Sequence, residues 1–214
     1  MNNKEFSSNS DLKFGKSSNF RSSANDKLGL FARSFFDSIQ VIVVALSVVV
    51  LVYIFIASFN IVDGESMLPN FEPRDLIISE KITTNWGNLQ RGDVIVFQAS
   101  PGKDFIKRII GLPGDKVKVE GGKVYVNGTP LKEDYLTEEN QNVGPGNILQ
   151  EGLEVTSPPD EYIVMGDNRK NSLDSRNIGP VDKSKIKAKA WLVFWPLNKF
   201  HIVQHVRYPE LGDK

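Results

Sequence analysis

From Ser38 to Val62 the chain carries no charged residue, and within that stretch Val41–Phe59 is almost wholly Val, Ile, Leu, Ala and Phe. As a helix these nineteen residues reach about 28 Å at ~1.5 Å each, close to the ~30 Å hydrocarbon core of a bilayer. Segments of a soluble core rarely run so long without polar interruption. A cleaved signal sequence fits poorly, because the run starts some forty residues in and no small-x-small cleavage site follows it. The stretch therefore reads as one uncleaved transmembrane helix, residues 38–60.

Flanking charge sets the expected orientation. Lys4, Lys13, Lys16, Arg21, Lys27 and Arg33 precede the helix, whereas the first basic residue after it is Arg74, behind Asp63 and Glu65. The positive-inside rule keeps residues 1–37 cytoplasmic and exports residues 61–214, enough chain for a folded domain. The first 28 residues are rich in Ser and Asn with little to bury, so residues 1–37 are expected to be a largely disordered tail. Leu28–Asp37 is more amphipathic and suits an interfacial lead-in.

There is no cysteine among the 214 residues. That excludes a disulfide framework, a cysteine nucleophile and Cys-based metal sites. The 26 basic and 26 acidic residues balance, which argues against a nucleic-acid binder. Beyond the membrane the pattern is β. Asp93–Phe97, Phe105–Ile110, Glu161–Met165 and Ala188–Phe194 read as strands, and Lys116–Glu120 and Lys123–Val126 flank Gly121-Gly122 as a hairpin. Residues 137–159 read as a long polar loop. The expected fold class is mainly β: a transmembrane helix, then an antiparallel, barrel-like catalytic domain over 61–214, with residues 116–160 as a smaller hairpin appendage. Trp191, Phe194 and Trp195 suit either an interfacial belt or the core, and the core is expected for at least two of them.

The chemistry concentrates in three clusters: Gly64–Pro69, Phe105–Gly111 and Gly166–Arg176. Ser66 is a candidate nucleophile and needs a neighbouring base. The two histidines, His201 and His205, lie in a strand-like segment (HIVQHV), where a spacing of four puts both on one face. No acidic third ligand accompanies them, so a structural role is expected and no metal. Lys107 is the better base. Alternation places it with Phe105 and Ile109 on one face of its strand, opposite Ile106, Arg108 and Ile110. Burial disfavours the ammonium; lowering a lysine from ~10.4 to about 7–8 takes roughly 4 kcal/mol of desolvation. Arg108 cannot replace it, because guanidinium does not deprotonate in proteins.

Together and in this order, the Gly-Glu-Ser-Met-Leu-Pro, Phe-Ile-Lys-Arg-Ile-Ile-Gly-Leu-Pro-Gly-Asp and Gly-Asp-Asn-Arg-Lys-Asn-Ser-Leu-Asp-Ser-Arg boxes resemble those of bacterial type I signal peptidases, membrane-anchored Ser-Lys endopeptidases. The resemblance covers the anchor and nearly all of residues 60–200. It implies that Ser66 attacks the scissile carbonyl, Lys107 acts as general base and Ser172 hydrogen-bonds and orients the lysine amine. Asp174 and Arg176 match a bracing pair, and Gly64, Asp167, Asn168 and Arg169 belong to the same supporting boxes. Val62, Met67 and Ile106 match positions that line the pocket for small residues at −1 and −3 of an exported precursor. The implied partners are signal-peptide-bearing preproteins and membrane lipid, without nucleic acid or cofactor, for a monomer in the cell membrane with its catalytic domain on the extracytoplasmic face.

Two positions depart from the family pattern. Some members carry a serine at the place of Gly64, whose hydroxyl serves the oxyanion, and many carry an acid at the place of Lys170. The rival reading is a membrane-anchored β module that binds a partner without chemistry.

Overall fold

The structure, a computed structural model, describes residues 18–212. One long helix, α1 (Ser18–Phe55), leads into the strands. The chain divides into two compact units at Val50/Leu51. Arg33–Phe55 is long and apolar enough to cross a membrane.

Both ends of this helix differ from expectation. At its start, residues 18–37 are helical rather than a disordered tail or a separate interfacial segment; each residue added to a helix nucleated on the apolar run gains a backbone hydrogen bond. The expectation for residues 1–17 lies outside the described residues. At its end, the helix stops at Phe55, not residue 60, and Ala57–Ile61 forms a strand, β1. Residues 57–61 take their backbone partners from β2 (Leu76–Glu80) in an unbroken antiparallel register, Ala57↔Glu80 to Ile61↔Leu76. Lys81 closes the helix, its Nζ donating to the carbonyls of Tyr53 and Ile54 at 3.1 and 3.3 Å. A cation there meets the negative end of the helix dipole.

The remaining elements are α2 (Ile82–Trp86), β3 (Val94–Ser100), β4 (Lys103–Gly111), β5 (Lys116–Glu120), β6 (Lys123–Val126), β7 (Thr129–Pro130), β8 (Val155–Thr156), β9 (Glu161–Met165), α3 (Ser175–Ile178), β10 (Val181–Asp182), β11 (Ile186–Trp195) and β12 (His201–Ile202). All strand pairs are antiparallel. The larger sheet runs β1-β2-β11-β3-β4-β9-β10, with β12 added to β11; the smaller runs β7-β6-β5-β8. The antiparallel β domain and its hairpin appendage are therefore present. The larger sheet is an open path with β1 and β10 at its ends rather than a closed barrel.

The β3–β4 ribbon is covered on both faces, which explains the unbroken apolar run Val94–Phe97. Val94, Val96 and Ile106 pack with Val62, Met67, Phe71 and Ile77 on one side. Ile95, Phe97, Phe105 and Ile109 pack with Tyr162 and Val164 on the other. A third cluster, including Ile110, Val117, Val124 and Ile163, joins the two sheets. Two expectations fail nearby. Trp191 and Trp195 are 51% and 50% exposed, and only Phe194 is partly covered. Both tryptophans lie at sheet positions whose side chains face away from the core residues Ala190 and Val193. The strand expected across His201–Val206 covers only His201 and Ile202, because after Val203 the chain leaves β11 to cross Gly92, where a Cβ would collide with the Val206 carbonyl.

Candidate active site

Ser66 sits in a loop that leaves β1 and returns to β2 through a narrow neck. Val62 N donates to Asp75 O and Arg74 N donates to Val62 O, each at 2.9 Å. Gly64 within the loop has φ +92°, a conformation that L side chains rarely adopt. That backbone conformation accounts for a glycine at this place. The far side of the loop is held by the segment after β9. Asn168 N donates to Ser66 O at 2.9 Å, Asn168 Nδ2 to Glu65 O at 3.1 Å and Asn171 Nδ2 to a Glu65 carboxylate oxygen at 3.2 Å. Gly166 lies so close beneath that a Cβ there would collide with the Ser66 carbonyl and the Ser172 side chain.

Lys107 reaches this loop from β4. Its Nζ is 2.7 Å from Ser66 Oγ and 2.9 Å from the Ile106 carbonyl, and it lies 5.0 Å from the centre of the Phe105 ring. The residue is 3% exposed. Burial pulls its pKa down from 10.5 to about 8, against the opposing pull of the Asp174 and Asp167 carboxylates. The amine is thus dry, in contact with one hydroxyl and much easier to deprotonate than a surface lysine.

The supporting charges form a buried lattice behind the pair. Arg108 grips Asp167 through both oxygens at 2.9 and 2.7 Å, and Asn70 Nδ2 donates to the same carboxylate at 2.8 Å. Asp174 accepts from Arg176 Nε and Nη2 and from Gly166 N. Burial alone would raise its pKa, but the bonded Arg176 guanidinium outweighs that and holds the carboxyl below its usual range. Arg169 donates to the Gly166 carbonyl and to both oxygens of Glu133, while Arg176 donates to the Arg169 carbonyl. A buried charge of this kind is tolerable only when paired and bonded.

One expected contact differs. Ser172 does not hydrogen-bond the Lys107 amine. Its hydroxyl is buried near Asp174 but aligned with no partner among the described residues. Met67 is also displaced from its expected place. Val62 and Ile106 line the groove beside Ser66, a cavity of about 700 Å³, but Met67 is not among its lining residues and packs in the core. Lys170 turns outward to Glu139 at 2.7 Å, away from the amine it could have rivalled. His205 accepts from Val94 N and faces Asp93, and burial lowers its pKa to about 4; His201 Nδ1 is bonded at the Lys199 carbonyl.

Sequence reasoning missed Asn70, Glu133 and Tyr135. Tyr135 Oη lies 3.0 Å from Arg169 Nη2, and its ring stacks under Arg108 at 4.4 Å. Glu133 and Tyr135 come from the appendage, in a polar stretch with no periodicity. Only the need of buried Arg169 for an acid signals them.

The sequence matches the family described as signal peptidase, peptidase S26, over residues 35–195. A signal peptidase I of Leptolyngbya laminosa is 40% identical over 155 residues, which are 68% of this chain and 72% of that protein. A signal peptidase I of Bacillus caldolyticus is 37% identical over 163 residues, 73% of this chain and 90% of that protein. Among solved structures, a signal peptidase I of Enterococcus faecalis V583 aligns at 34% identity and a TM-score of 0.41, over 48% of this chain and 96% of that one.

Proposed function

This chain belongs to the signal peptidase family, peptidase S26, and on that premise we propose that it removes signal peptides from exported precursors with Ser66 as nucleophile and Lys107 as general base. In this scheme the neutral Lys107 amine takes the hydroxyl proton as Ser66 Oγ bonds to the scissile carbonyl carbon. The resulting ammonium gives that proton to the leaving amine as the peptide bond breaks. Water then attacks the acyl-enzyme, losing its proton to the same amine, and Ser66 is restored. The observation that supports this most is the 2.7 Å approach of a buried amine to a single hydroxyl. With its pKa at about 8, roughly one Lys107 in ten is neutral at pH 7, against about one in three thousand at 10.5.

Ser172 is assigned to the later state. Once Ser66 is acylated, the amine keeps the Ile106 carbonyl but loses the serine hydroxyl, and Ser172 Oγ, buried beside Asp174, can take its place. Asp174, Arg176, Asp167, Asn168 and Arg169 hold the loop that carries Ser172. Val62 and Ile106 offer an apolar floor for small residues at −1 and −3. The Ser66 backbone N–H serves the oxyanion, and Gly64 adds no hydroxyl to it.

The anchor supports presentation at the membrane, with residues 1–37 on the cytoplasmic side and residues 61–214 outside. Ser66 follows the end of α1 by eleven residues, and Phe59, Ile61, Trp191, Trp195 and Ile202 expose apolar surface suited to lipid. A precursor held by its own apolar segment meets the site at that height, a proximity effect.

The test is a cleavage assay on a precursor ending its signal segment in Ala-X-Ala. Wild type should cut after the second alanine, and Ser66→Ala and Lys107→Ala should not. Equal cleavage by all three, or no cleavage by wild type, refutes the assignment; the second result favours the binding module.

A further inference from the structure

β4 has one unfilled edge. Its residues 103–108 pair with β3 on one side, but on the other β9 joins only at Arg108, Ile109 and Gly111. Along Lys103–Lys107 no strand among the described residues pairs with that edge, which leaves it open to an added strand, the Ile106 carbonyl there being held by Lys107 Nζ. This segment leads straight to the catalytic pair. It spans about 13 Å at ~3.3 Å per residue, room for four residues of an extended peptide.

The two faces of the ribbon differ at this edge. Neighbouring pairs Val96↔Ile106 and Phe97↔Phe105 point to opposite sides. The 700 Å³ groove lies where Ile106 and Val96 form the floor. A second cavity of about 280 Å³ lies where Phe97 and Phe105 do, closed by Leu173, Ile178 and Val181. The two share Lys103, Phe105 and Leu173, so both open along the same edge. Leu173 and Ile178 are 52% and 42% exposed, large apolar side chains left uncovered beside a site where water must be excluded.

We propose that this second cavity is a substrate subsite, which takes a large apolar side chain from the face of the bound strand opposite the −1 and −3 residues. The inference rests on the peptidase reading above. Because side chains alternate along a strand, a peptide whose −1 and −3 residues lie over Ile106 turns −2 and −4 toward Phe105. Phe97, Phe105, Leu173 and Ile178 make its walls largely apolar, so leucine or phenylalanine fills it where serine leaves it empty. The rim carries Lys103, whose Nζ stands 5.3 Å over the Phe105 ring, and Lys185, so a basic residue is excluded. The site therefore reads four positions rather than two, small residues on one face and bulky apolar ones on the other.

The experiment uses the full chain in detergent and peptides with Ala fixed at −1 and −3. Position −2 or −4 is changed singly from Ser to Leu. Wild type should prefer Leu at one of them by about tenfold in kcat/KM. Ile178→Lys should abolish that preference and Ile178→Ala should weaken it. Both variants should keep the demand for Ala at −1. No preference in wild type, or a preference untouched in both variants, overturns the subsite while leaving the peptidase reading intact. Failure of wild type to cleave any peptide overturns both.

Discussion

Replacing Lys107 by methionine should destroy activity and yet change stability in a pH-dependent direction that favours the variant near neutrality. In the folded protein burial lowers the amine pKa from 10.5 to about 8; in the unfolded chain it returns to the ordinary value. Below pH 8 both states are protonated, and the folded state bears the full cost of a buried ammonium. Between 8 and 10.5 the unfolded state binds more protons, so wild-type stability rises with pH. Above 10.5 the cost is gone. The interval corresponds to about 3 kcal/mol. Methionine has no such cost, but it loses the contacts to Ser66 Oγ and Ile106 O, about 1 kcal/mol each and independent of pH. The stability difference between variant and wild type should therefore change by about 3 kcal/mol between pH 7 and pH 11, moving in favour of wild type as pH rises. Trp86, Trp191 and Trp195 are the chain's three tryptophans and all lie beyond residue 50. Urea unfolding followed by their fluorescence, with the full chain in micelles, reports on that unit. Parallel stability curves for the two proteins would refute the buried-ammonium argument.

Other outcomes follow from the same geometry. The rate of precursor cleavage should rise about ninefold from pH 6 to pH 7 and level off above pH 9, as a pH profile of kcat/KM will show. Gly166→Ala places a methyl group against Ser66 O and the Ser172 side chain; a displacement of about 1 Å there should cost roughly 100-fold in kcat and the crowding about 1–3 kcal/mol of stability, measured by steady-state kinetics beside urea curves. Glu133→Ala leaves buried Arg169 without its carboxylate and should destabilise the domain by about 3–5 kcal/mol, read from the same unfolding curves.

How much of this was legible in the sequence depended on the range of the signal. β5 and β6 alternate around Gly121-Gly122 and β9 is a short apolar block, so their bounds match the structure. Lys107 stood out over the two histidines as a base because alternation sets it between Phe105 and Ile109 on an apolar strand face, and the resemblance of the three boxes paired it with Ser66. Strand β1 was hidden, since Ala57–Ile61 continues the composition of the helix and only its pairing with β2 makes it a strand. The Glu133–Arg169 contact spans 36 residues, and no local pattern announces it. Met67 fits an apolar pocket as well as an apolar core; the direction of its side chain, fixed by the loop around Ser66, decided between them. The outward tryptophans were misassigned because large aromatic residues at alternate positions read as core until the opposite face of β11 is seen to hold Ala188, Ala190 and Val193.

The most direct measurement is an NMR titration of the Lys107 side-chain amine in the full chain, assigned by its loss in Lys107→Met. A midpoint at about 8, shifting when Ser66 is replaced by alanine, is the expected result. A midpoint at 10.5, indifferent to Ser66, would contradict it.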